Sequence, residues 1–199
     1  MASTNWMEIL KDLPKPVIML IGKREVRSAD TEMLVEMGRR LATLLPNAEF
    51  RSGNAKGADA LFAKGVNEVA PERITLFLPY DSHRTRAASD TRRISIDEMD
   101  LNNEPDIVAA ARMNEKTRHH VDPYLRGKRD RFTMKIAYIF RDVLMVLGST
   151  VKRLPKADAV FYYDDLANPL EGGTGFTVNL AMQNGIKVYN QSTWNLPDL

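Results

Sequence analysis

The sequence predicts an α/β fold, in which a parallel sheet lies between two layers of helices and carries an extra helical insertion. Five short apolar segments are typical of strands, and they lie at residues 17–21, 48–51, 74–79, 160–163 and 186–189. Apolar residues with helical spacing fill most of the intervals between them. Strands that alternate with helices favour parallel pairing with right-handed crossovers. The 199 residues are therefore predicted to form a single three-layer domain, residues 1–199.

The first strand and the first helix have clear patterns. Five consecutive apolar residues at 17–21 suit a strand that is buried on both faces, and Gly22 is expected to end it. Ser28 or Asp30 is predicted to cap the helix that follows. The apolar residues that define this helix by their spacing are Met33, Leu34, Met37, Leu41 and Leu44.

The second strand is short and leads into another amphipathic helix. The strand is predicted at residues 48–51, and the third strand at residues 74–79. The helix between them is indicated by the spacing of Leu61, Phe62, Val66 and Val69. This strand–helix–strand unit repeats the pattern of the first one, which supports a parallel sheet.

Residues 80–131 are predicted to form a loop and helical elaboration of the domain. Residues 80–103 have weak periodicity and many charges, so a long loop with a short helix is expected there. Helices are predicted at 105–120 and 131–147. After them come the strand at 160–163, a helix at 177–184 that Gly185 ends, and the last strand.

Composition excludes several classes of function. The chain has no cysteine, so disulfides, thiolate metal sites and cysteine nucleophiles are excluded. Its start resembles no signal peptide, and no apolar run approaches the roughly 20 residues of a membrane-spanning helix, so a cytoplasmic protein without a membrane partner is expected. His119 and His120 are adjacent in sequence and point to different faces of a helix. Neither a metal site nor a cofactor is predicted.

The net charge of +2 does not by itself indicate nucleic acid, but the charge is uneven. Residues 112–135 contain eight Lys or Arg and three Asp or Glu. Such a stretch is either a solvated basic face or a surface that faces phosphates. Both interpretations stay open at this point.

Three loops that follow strands contain the residues predicted to bind a ligand. Ligands of open parallel sheets bind at the carboxyl ends of the strands, where all three loops lie. Glycines let the backbone approach a ligand, and the helix that follows directs free N–H groups at it. These candidates are Gly22, Lys23, Arg24, Ser52, Gly53, Asn54, Gly57, Ala58, Asp59, Gly172, Gly173, Thr174, Gly175 and Thr177. A phosphate is the ligand group that such loops favour.

Each loop also has a simpler interpretation. Lys23 and Arg24 either neutralise a phosphate or are solvated charges on a strand-to-helix turn. Asp59 either caps a helix and shapes its loop or binds a ribose hydroxyl. The segment 172–175, before a helix predicted to begin at Thr177, is either a phosphate cradle or a glycine-rich helix start without a ligand. The second loop matches neither a Walker A loop nor the dinucleotide fingerprint.

Taken together, these segments resemble the Rossmann-like superfamily that contains the LOG, DprA and YpsA-type proteins, with the YpsA-like branch the best match. The matching segments are the strand ending in Gly22-Lys23-Arg24, the Ser-Gly-x-Ala-x-Gly-Ala-Asp segment at 52–59, and Gly172-Gly173-Thr174. The resemblance covers most of the chain except residues 80–131. It implies a Rossmann-like fold that binds a nucleotide or a nucleotide derivative. It also places Arg141 among the ligand-binding residues.

The resemblance does not extend to the catalytic residue of the LOG enzymes, which hydrolyse N-glycosidic bonds of nucleoside monophosphates. Their Gly-Gly-x-Gly-Thr-x-x-Glu motif reads here with Phe176 in place of the threonine and Asn179 in place of the glutamate. An amide is neither a general base nor an anion that stabilises an oxocarbenium ion. Binding is therefore favoured over LOG-type hydrolysis, and no catalytic residue is predicted.

Three functions follow from these residues. The first is a nucleotide-binding or phosphorylated-metabolite-binding protein, such as a ligand sensor, with Arg84 as a further cation for the phosphate. The second is a phosphoribohydrolase that uses Glu171, Asp59 or Asp164 as relocated acid and base. The third is a DprA-like DNA-binding module that uses residues 112–135. By analogy with related enzymes, and because the helices of the insertion are long, association into a homo-oligomer is also predicted.

Overall fold

A computed structural model describes residues 6–84 and 91–194 and has a six-stranded sheet in which every neighbouring pair of strands is parallel. The strands are β1 (Val17–Gly22), β2 (Glu49–Ser52), β3 (Ile74–Leu78), β4 (Arg92–Ser95), β5 (Ala159–Tyr163) and β6 (Lys187–Asn190). Their order across the sheet is β4-β3-β2-β1-β5-β6. The chain therefore starts at the centre, proceeds to one edge and returns to the other side of β1. This confirms the Rossmann-like fold.

Helices cover both faces of the sheet. They are α1 (Trp6–Lys11), α2 (Thr31–Leu44), α3 (Ala58–Asn67), α4 (Pro105–Arg112), α5 (Val121–Leu125), α6 (Met134–Leu147) and α7 (Gly172–Gln183). The first three helices pack on one face, and the last four pack on the other. No helix of the described residues is long and apolar enough to cross a membrane.

The apolar side chains of β1 explain the two cores. Met19 and Ile21 point into the core on the α6 and α7 side, whereas Ile18 and Leu20 point into the core on the α2 and α3 side. Successive side chains of a strand alternate between faces. A central strand of a parallel sheet is buried on both sides, which requires the unbroken apolar run at 17–21.

The prediction of a long loop at 80–103 was wrong in part. Residues 92–95 form β4, which pairs in parallel with β3 at the edge of the sheet, and two short 3₁₀ turns follow it. An edge strand tolerates charged residues, because one side of it faces solvent. The sequence Arg-Arg-Ile-Ser therefore lacks the apolar pattern of a buried strand. Residues 85–90 of this predicted loop lie outside the described residues.

Helix boundaries also differ from the predictions. The helix predicted at 105–120 ends at Arg112, and a separate short helix, α5, begins at Val121. The helix predicted to begin at Thr177 begins at Gly172, so the third glycine loop forms its first turn. The first four positions of this helix are three glycines and one threonine. Because both residue types have low helix propensity, the sequence pattern does not indicate that the helix starts here. Helix α1 has no counterpart in the predictions.

Candidate functional site

A cleft of about 920 Å³ lies at the carboxyl ends of β1 and β5. These adjacent strands flank the point where the strand order reverses, and ligands bind there in open parallel sheets. Its walls come from the segment after β1, the segment after β5, the first turns of α7 and one side of α6. The cleft is therefore assembled from parts of the chain that are far apart in sequence.

The segment after β1 contributes two neighbouring cations with different surroundings. Lys23 forms an ion pair with the buried Asp164, with 3.3 Å between Nζ and Oδ1, and donates a hydrogen bond to the carbonyl of Glu171. Lys23 thus ties the β1 loop to the β5 loop. Arg24 lines the cleft with an exposed side chain, and no described carboxylate lies within ion-pair distance of it. Arg24 is therefore available to an anion.

The start of α7 opens onto the cleft. Gly172 has a φ of +68°, and no described atom lies within 4 Å of the position that a Cβ on Gly172 or Gly173 would occupy. Thr174 lines the cleft beside them. The N–H groups of the first helical turn have no partner within the helix, and the positive end of the helix dipole lies there. The described residues therefore leave the space above these two glycines open.

The other two predicted residues of this segment make structural contacts, and of the two only Thr177 also lines the cleft. The backbone at Gly175 packs so tightly that an added Cβ would lie 1.8 Å from the carbonyl oxygen of Leu170, so Gly175 does not line the cleft. The Thr177 hydroxyl donates to the carbonyl of Gly173 at 2.9 Å within the helix. Leu170 itself has a φ of +58°, and its N–H donates to Asp164 at 2.7 Å. Asp164 therefore fixes the turn from which α7 starts.

The second predicted loop lies behind the first loop instead of facing it across the cleft. The N–H of Ala58 donates to the carbonyl of Lys23, and Gly57, with φ +83°, packs against the carbonyl of Arg24. Apart from Asp59, none of its predicted binding residues lines the cleft: Ser52, Gly53, Asn54, Gly57 and Ala58 lie outside the lining. Their binding role stays a prediction, and their contacts are those of a support for the β1 loop.

Asp59 joins the two loops. Its carboxylate accepts hydrogen bonds from the N–H of Gly22 at 3.0 Å and from the N–H of Ala55 at 3.4 Å, and it makes no cap of α3. Burial raises the pKa of Asp59 to about 6, while the charge of Arg141 acts in the opposite direction. Of its two predicted roles, loop shaping is the one that these contacts show.

Arg141 is buried on α6 and forms the centre of a charged cluster with Asp142. Its guanidinium donates two hydrogen bonds to Asp142, at 2.9 and 2.6 Å, and one to the carbonyl of Gly53 at 2.8 Å. Burial raises the pKa of Asp142 even though the charge and hydrogen bonds of Arg141 lower it. Arg141 lines the cleft, as the resemblance implies for a ligand-binding residue, but its hydrogen bonds hold the second loop in place.

Sequence reasoning missed most of the α6 wall. Tyr138, Asp142 and Met145 line the cleft together with Ile139, and the first three follow each other at helical spacing. That spacing is visible in the sequence, but an apolar or aromatic residue at such a position usually marks a core face. Only the packing of α6 beside α7 turns this face toward the cleft.

Tyr138 belongs to a cluster of aromatic rings with Tyr80 and His83. The His83 ring is buried, and its Nε2 has no hydrogen-bond partner among the described residues. Burial, helped by the charges of Arg84 and Arg141, lowers the pKa of His83 to about 4. The imidazole is therefore neutral at pH 7.

The charges that line the cleft are mixed. Four cations and six carboxylates line it, so the cleft is not a basic pocket. Two of the carboxylates, Asp59 and Asp164, each accept hydrogen bonds from backbone N–H groups, and Asp142 is paired with Arg141. Asn179, which stands where LOG enzymes have their glutamate, is exposed and does not line the cleft.

The basic stretch at 112–135 lies on the helical insertion, away from the cleft. The side chain of Phe132 is 45% exposed there. The Arg131 guanidinium lies 4.5 Å from the centre of its ring, the Lys135 ammonium lies 5.9 Å away, and His120 stacks at 6.2 Å. We call these four residues the Phe132 cluster. The described residues contain no group of three or more His, Asp or Glu side chains that would hold a metal ion.

Comparisons with known proteins identify one distant structural neighbour and no family. No protein-family model matches the chain, and no curated protein is similar to it. DNA processing protein A from Helicobacter pylori, a solved structure described for its single-stranded DNA binding mode, is similar over 96% of this chain and 69% of its own, with 18% identity and a TM-score of 0.49. At that identity and TM-score, the likeness carries no argument about function.

Proposed function

We propose that the protein binds a nucleotide or a phosphorylated nucleotide derivative in the cleft between β1 and β5. We infer that it is a ligand-binding member of the LOG, DprA and YpsA-like superfamily, in the YpsA-like branch. The observation that carries the proposal is the open space above Gly172 and Gly173. This space lies at the first turn of α7 and at the reversal point of the strand order. Both features favour a bound phosphate.

Two groups supply the attraction for the phosphate. The free N–H groups at the start of α7 donate hydrogen bonds, and the helix dipole adds partial positive charge. Arg24 adds a full charge and forms no ion pair with a described carboxylate, although its charge helps to lower the pKa of Asp142. Of the carboxylates at this end, Asp164 is engaged, since it pairs with Lys23 and binds the N–H of Leu170, whereas Glu171 is exposed beside Gly172. The anion therefore meets donors locally, although the cleft as a whole is not basic.

The same contacts favour binding over hydrolysis. A general acid or base has to reach the bond that reacts. Asp59 and Asp164 are 3% and 2% exposed, and both hold backbone N–H groups. Glu171 is exposed at the mouth of the cleft and not in a water-excluded position. A bound nucleotide is therefore expected to stay intact.

Gly173 offers a direct test of the phosphate position. A methyl group at Gly173 meets no described atom within 4 Å, so Gly173→Ala is expected to fold as the wild type does. The same methyl group occupies the space that the phosphate needs. Isothermal titration with AMP, GMP, CMP and UMP is expected to show that the wild type binds at least one of these nucleotides. Gly173→Ala is expected to bind it at least tenfold more weakly, because about one charge-assisted hydrogen bond is lost.

Two controls accompany this titration. Arg153→Gln removes an exposed arginine in the turn before β5, at the opposite end of the sheet, and is expected to bind like the wild type. Chromatography of the nucleotide after incubation is expected to recover it unchanged. Release of the free base would instead assign the protein to the phosphoribohydrolases. Equal affinity of Gly173→Ala and the wild type would show that the phosphate does not bind at the start of α7.

A second candidate function, single-stranded nucleic acid binding, is favoured by the Phe132 cluster. Exposed aromatic rings beside cations are the surfaces on which bases of single strands stack. Fluorescence anisotropy with a labelled oligonucleotide is the test. This function requires affinity that falls steeply with salt and falls further in Phe132→Ala. No binding at low salt would eliminate it.

A further inference from the structure

The α6 wall brings an aromatic residue to the same cleft. Tyr138, Asp142 and Met145 lie on one face of α6 and line the cleft, as Ile139 does. Ile139 and Met145 are buried, whereas Tyr138 is partly exposed. The α6 wall therefore presents carbon atoms of Tyr138 and its apolar neighbours beside the paired charges of Arg141 and Asp142. A ligand that reaches from Tyr138 to Lys23 and Arg24 needs a planar half in addition to an anionic half.

The ring of Tyr138 is held in place by its neighbours. It makes edge-to-face contacts with His83, at 5.6 Å between ring centres and 85°, and with Tyr80, at 6.3 Å and 85°. The Tyr138 and Tyr80 hydroxyls lie 3.5 Å apart, and the Arg141 guanidinium lies 5.4 Å from the ring centre. Each contact restricts the rotation of the side chain. Binding to this ring therefore costs little conformational entropy.

Tyr138 and the phosphate position line the same cleft, on the neighbouring helices α6 and α7. Asp142 stands one helical turn beyond Tyr138, which is about 5.4 Å along α6. Asp142 also interacts with Thr177 of α7, whose hydroxyl donates to the carbonyl of Gly173. The α6 and α7 walls thus meet at Asp142 and Thr177, one helical turn from Tyr138 on α6 and one turn from Gly173 on α7. The whole cleft, at about 920 Å³, is within the range of small-molecule sites.

We propose that the base of the bound nucleotide stacks on Tyr138, and that this contact makes the site selective for a nucleotide over a sugar phosphate. This inference rests on the proposed phosphate site. It assigns the phosphate to Gly172 and Gly173, and the base to the wall formed by Tyr138 with Ile139 and Met145. The alternative role of Tyr138 is to pack against the 80–83 segment without touching a ligand.

Titration with two ligands separates the contribution of the base to the affinity from the contribution of the sugar and phosphate. The best-binding mononucleotide of the series is compared with ribose 5-phosphate, in which an anomeric hydroxyl replaces the base. For the wild type, the nucleotide is expected to bind about tenfold or more tightly than ribose 5-phosphate, since stacking of one base on an aromatic ring contributes about 1–3 kcal/mol. Tyr138→Leu is expected to lose this advantage and to bind both ligands alike, with its ribose 5-phosphate affinity unchanged.

Tyr138→Phe is the matched control, because it keeps the ring and removes only the hydroxyl that faces Tyr80. It is expected to keep the nucleotide preference. The unchanged ribose 5-phosphate affinity of Tyr138→Leu shows that the site has stayed folded. Thermal unfolding of each variant provides a second check of folding.

Three results would overturn the stacking role. If the wild type binds the two ligands equally, the base has no site on Tyr138, while the phosphate site stands. If Tyr138→Leu weakens both ligands equally, Tyr138 shapes the cleft and does not select the base. If the wild type binds neither ligand, the proposed function fails together with the stacking role.

Discussion

Lys23 and Arg24 are neighbours in sequence, but we expect Lys23 to contribute to stability and Arg24 to contribute to ligand binding. Lys23 is engaged with Asp164 and the carbonyl of Glu171, so it contributes to the structure of both loops. Arg24 has no described carboxylate partner and faces the cleft. The sequence presents the two residues as equivalent cations. Their different surroundings make Arg24 the better test of an anion site.

Arg24→Gln is predicted to weaken nucleotide binding about tenfold or more without lowering the melting temperature. A hydrogen bond to a charged group contributes about 1.5–3 kcal/mol, and the folded protein loses no described ion pair in this variant. Titration calorimetry and a thermal melt measure the two quantities. Arg153→Gln serves as the matched control, and an equal loss of affinity in both variants would contradict a local role of Arg24.

The pKa of Asp59 predicts a pH dependence of stability. Burial raises it from 3.8 to about 6, so between these values the folded state binds a proton that the unfolded state has released. The contribution of Asp59 to the free energy of unfolding is thus largest below pH 3.8 and is lost as the pH rises through 6. Over that window the loss amounts to at most about 3 kcal/mol.

Asp59→Asn removes this titration. Urea unfolding of the wild type and of the variant is predicted to give a difference in the free energy of unfolding that shifts in favour of Asp59→Asn as the pH rises from 3.8 to 6. Asp12→Asn, at an exposed aspartate, is the control for general charge effects. A difference between wild type and Asp59→Asn that is constant across this range would disprove the raised pKa.

At the scale of elements, the start of α7 depends on two glycines for different reasons. Gly175 packs against the carbonyl of Leu170, where no side chain fits, whereas Gly173 faces open space. Asp164 fixes the turn before the helix through the N–H of Leu170. The first turn of α7 is therefore shaped by packing on one side and left open to the cleft on the other.

Gly175→Ala is predicted to lower the free energy of unfolding by about 1–3 kcal/mol or more, the usual cost of forcing atoms into a packed site. Gly173→Ala is predicted to leave it unchanged or to raise it by up to about 1 kcal/mol, because alanine favours the helix. Urea denaturation of the two variants measures both effects. Similar stability of the two variants would show that the α7 start is not packed on the Leu170 carbonyl.

At the scale of the whole molecule, the two cores share the central strands. In β1, Met19 packs in one core and Ile18 in the other. In β5, Val160 packs in the first of these cores and Phe161 in the second. Neither core is complete without these strands. That residues 1–199 form a single domain stays a prediction. Association into a homo-oligomer stays a prediction, which sedimentation equilibrium tests.

Because the two cores share β1 and β5, we predict that the helices on both faces of the sheet unfold together. Trp6 and Trp194 are buried in the core on the α1 side, so tryptophan fluorescence reports on that face. Far-ultraviolet circular dichroism reports on the helices of both faces. In urea, the two signals are predicted to change in one coincident transition, as expected for two-state unfolding. Two separate midpoints would show that the helical insertion or one core unfolds independently.

The part of the site that could be predicted from sequence is the part that local pattern encodes. The unbroken apolar run before Gly22 marks a buried strand, and the glycines at 172–175 mark a close backbone approach, so both ends of the cleft were identifiable. The edge strand β4 was not, because its charged residues need burial on one side only. Nor was the α6 wall, because its pattern is that of a core helix.

The sequence by itself determined that apolar strands alternate with helices and that glycine-rich segments follow the strands, because backbone preference and burial act over a few residues. The tertiary structure alone decided which of these segments share a cleft. The order β2-β1-β5 places the segment after β1 beside α7 and leaves the second loop behind it as a support. It also places Tyr138 on the lining of the same cleft as the glycines at 172 and 173. Strand order depends on the packing of whole helices against the sheet, and no local stretch of sequence contains that information.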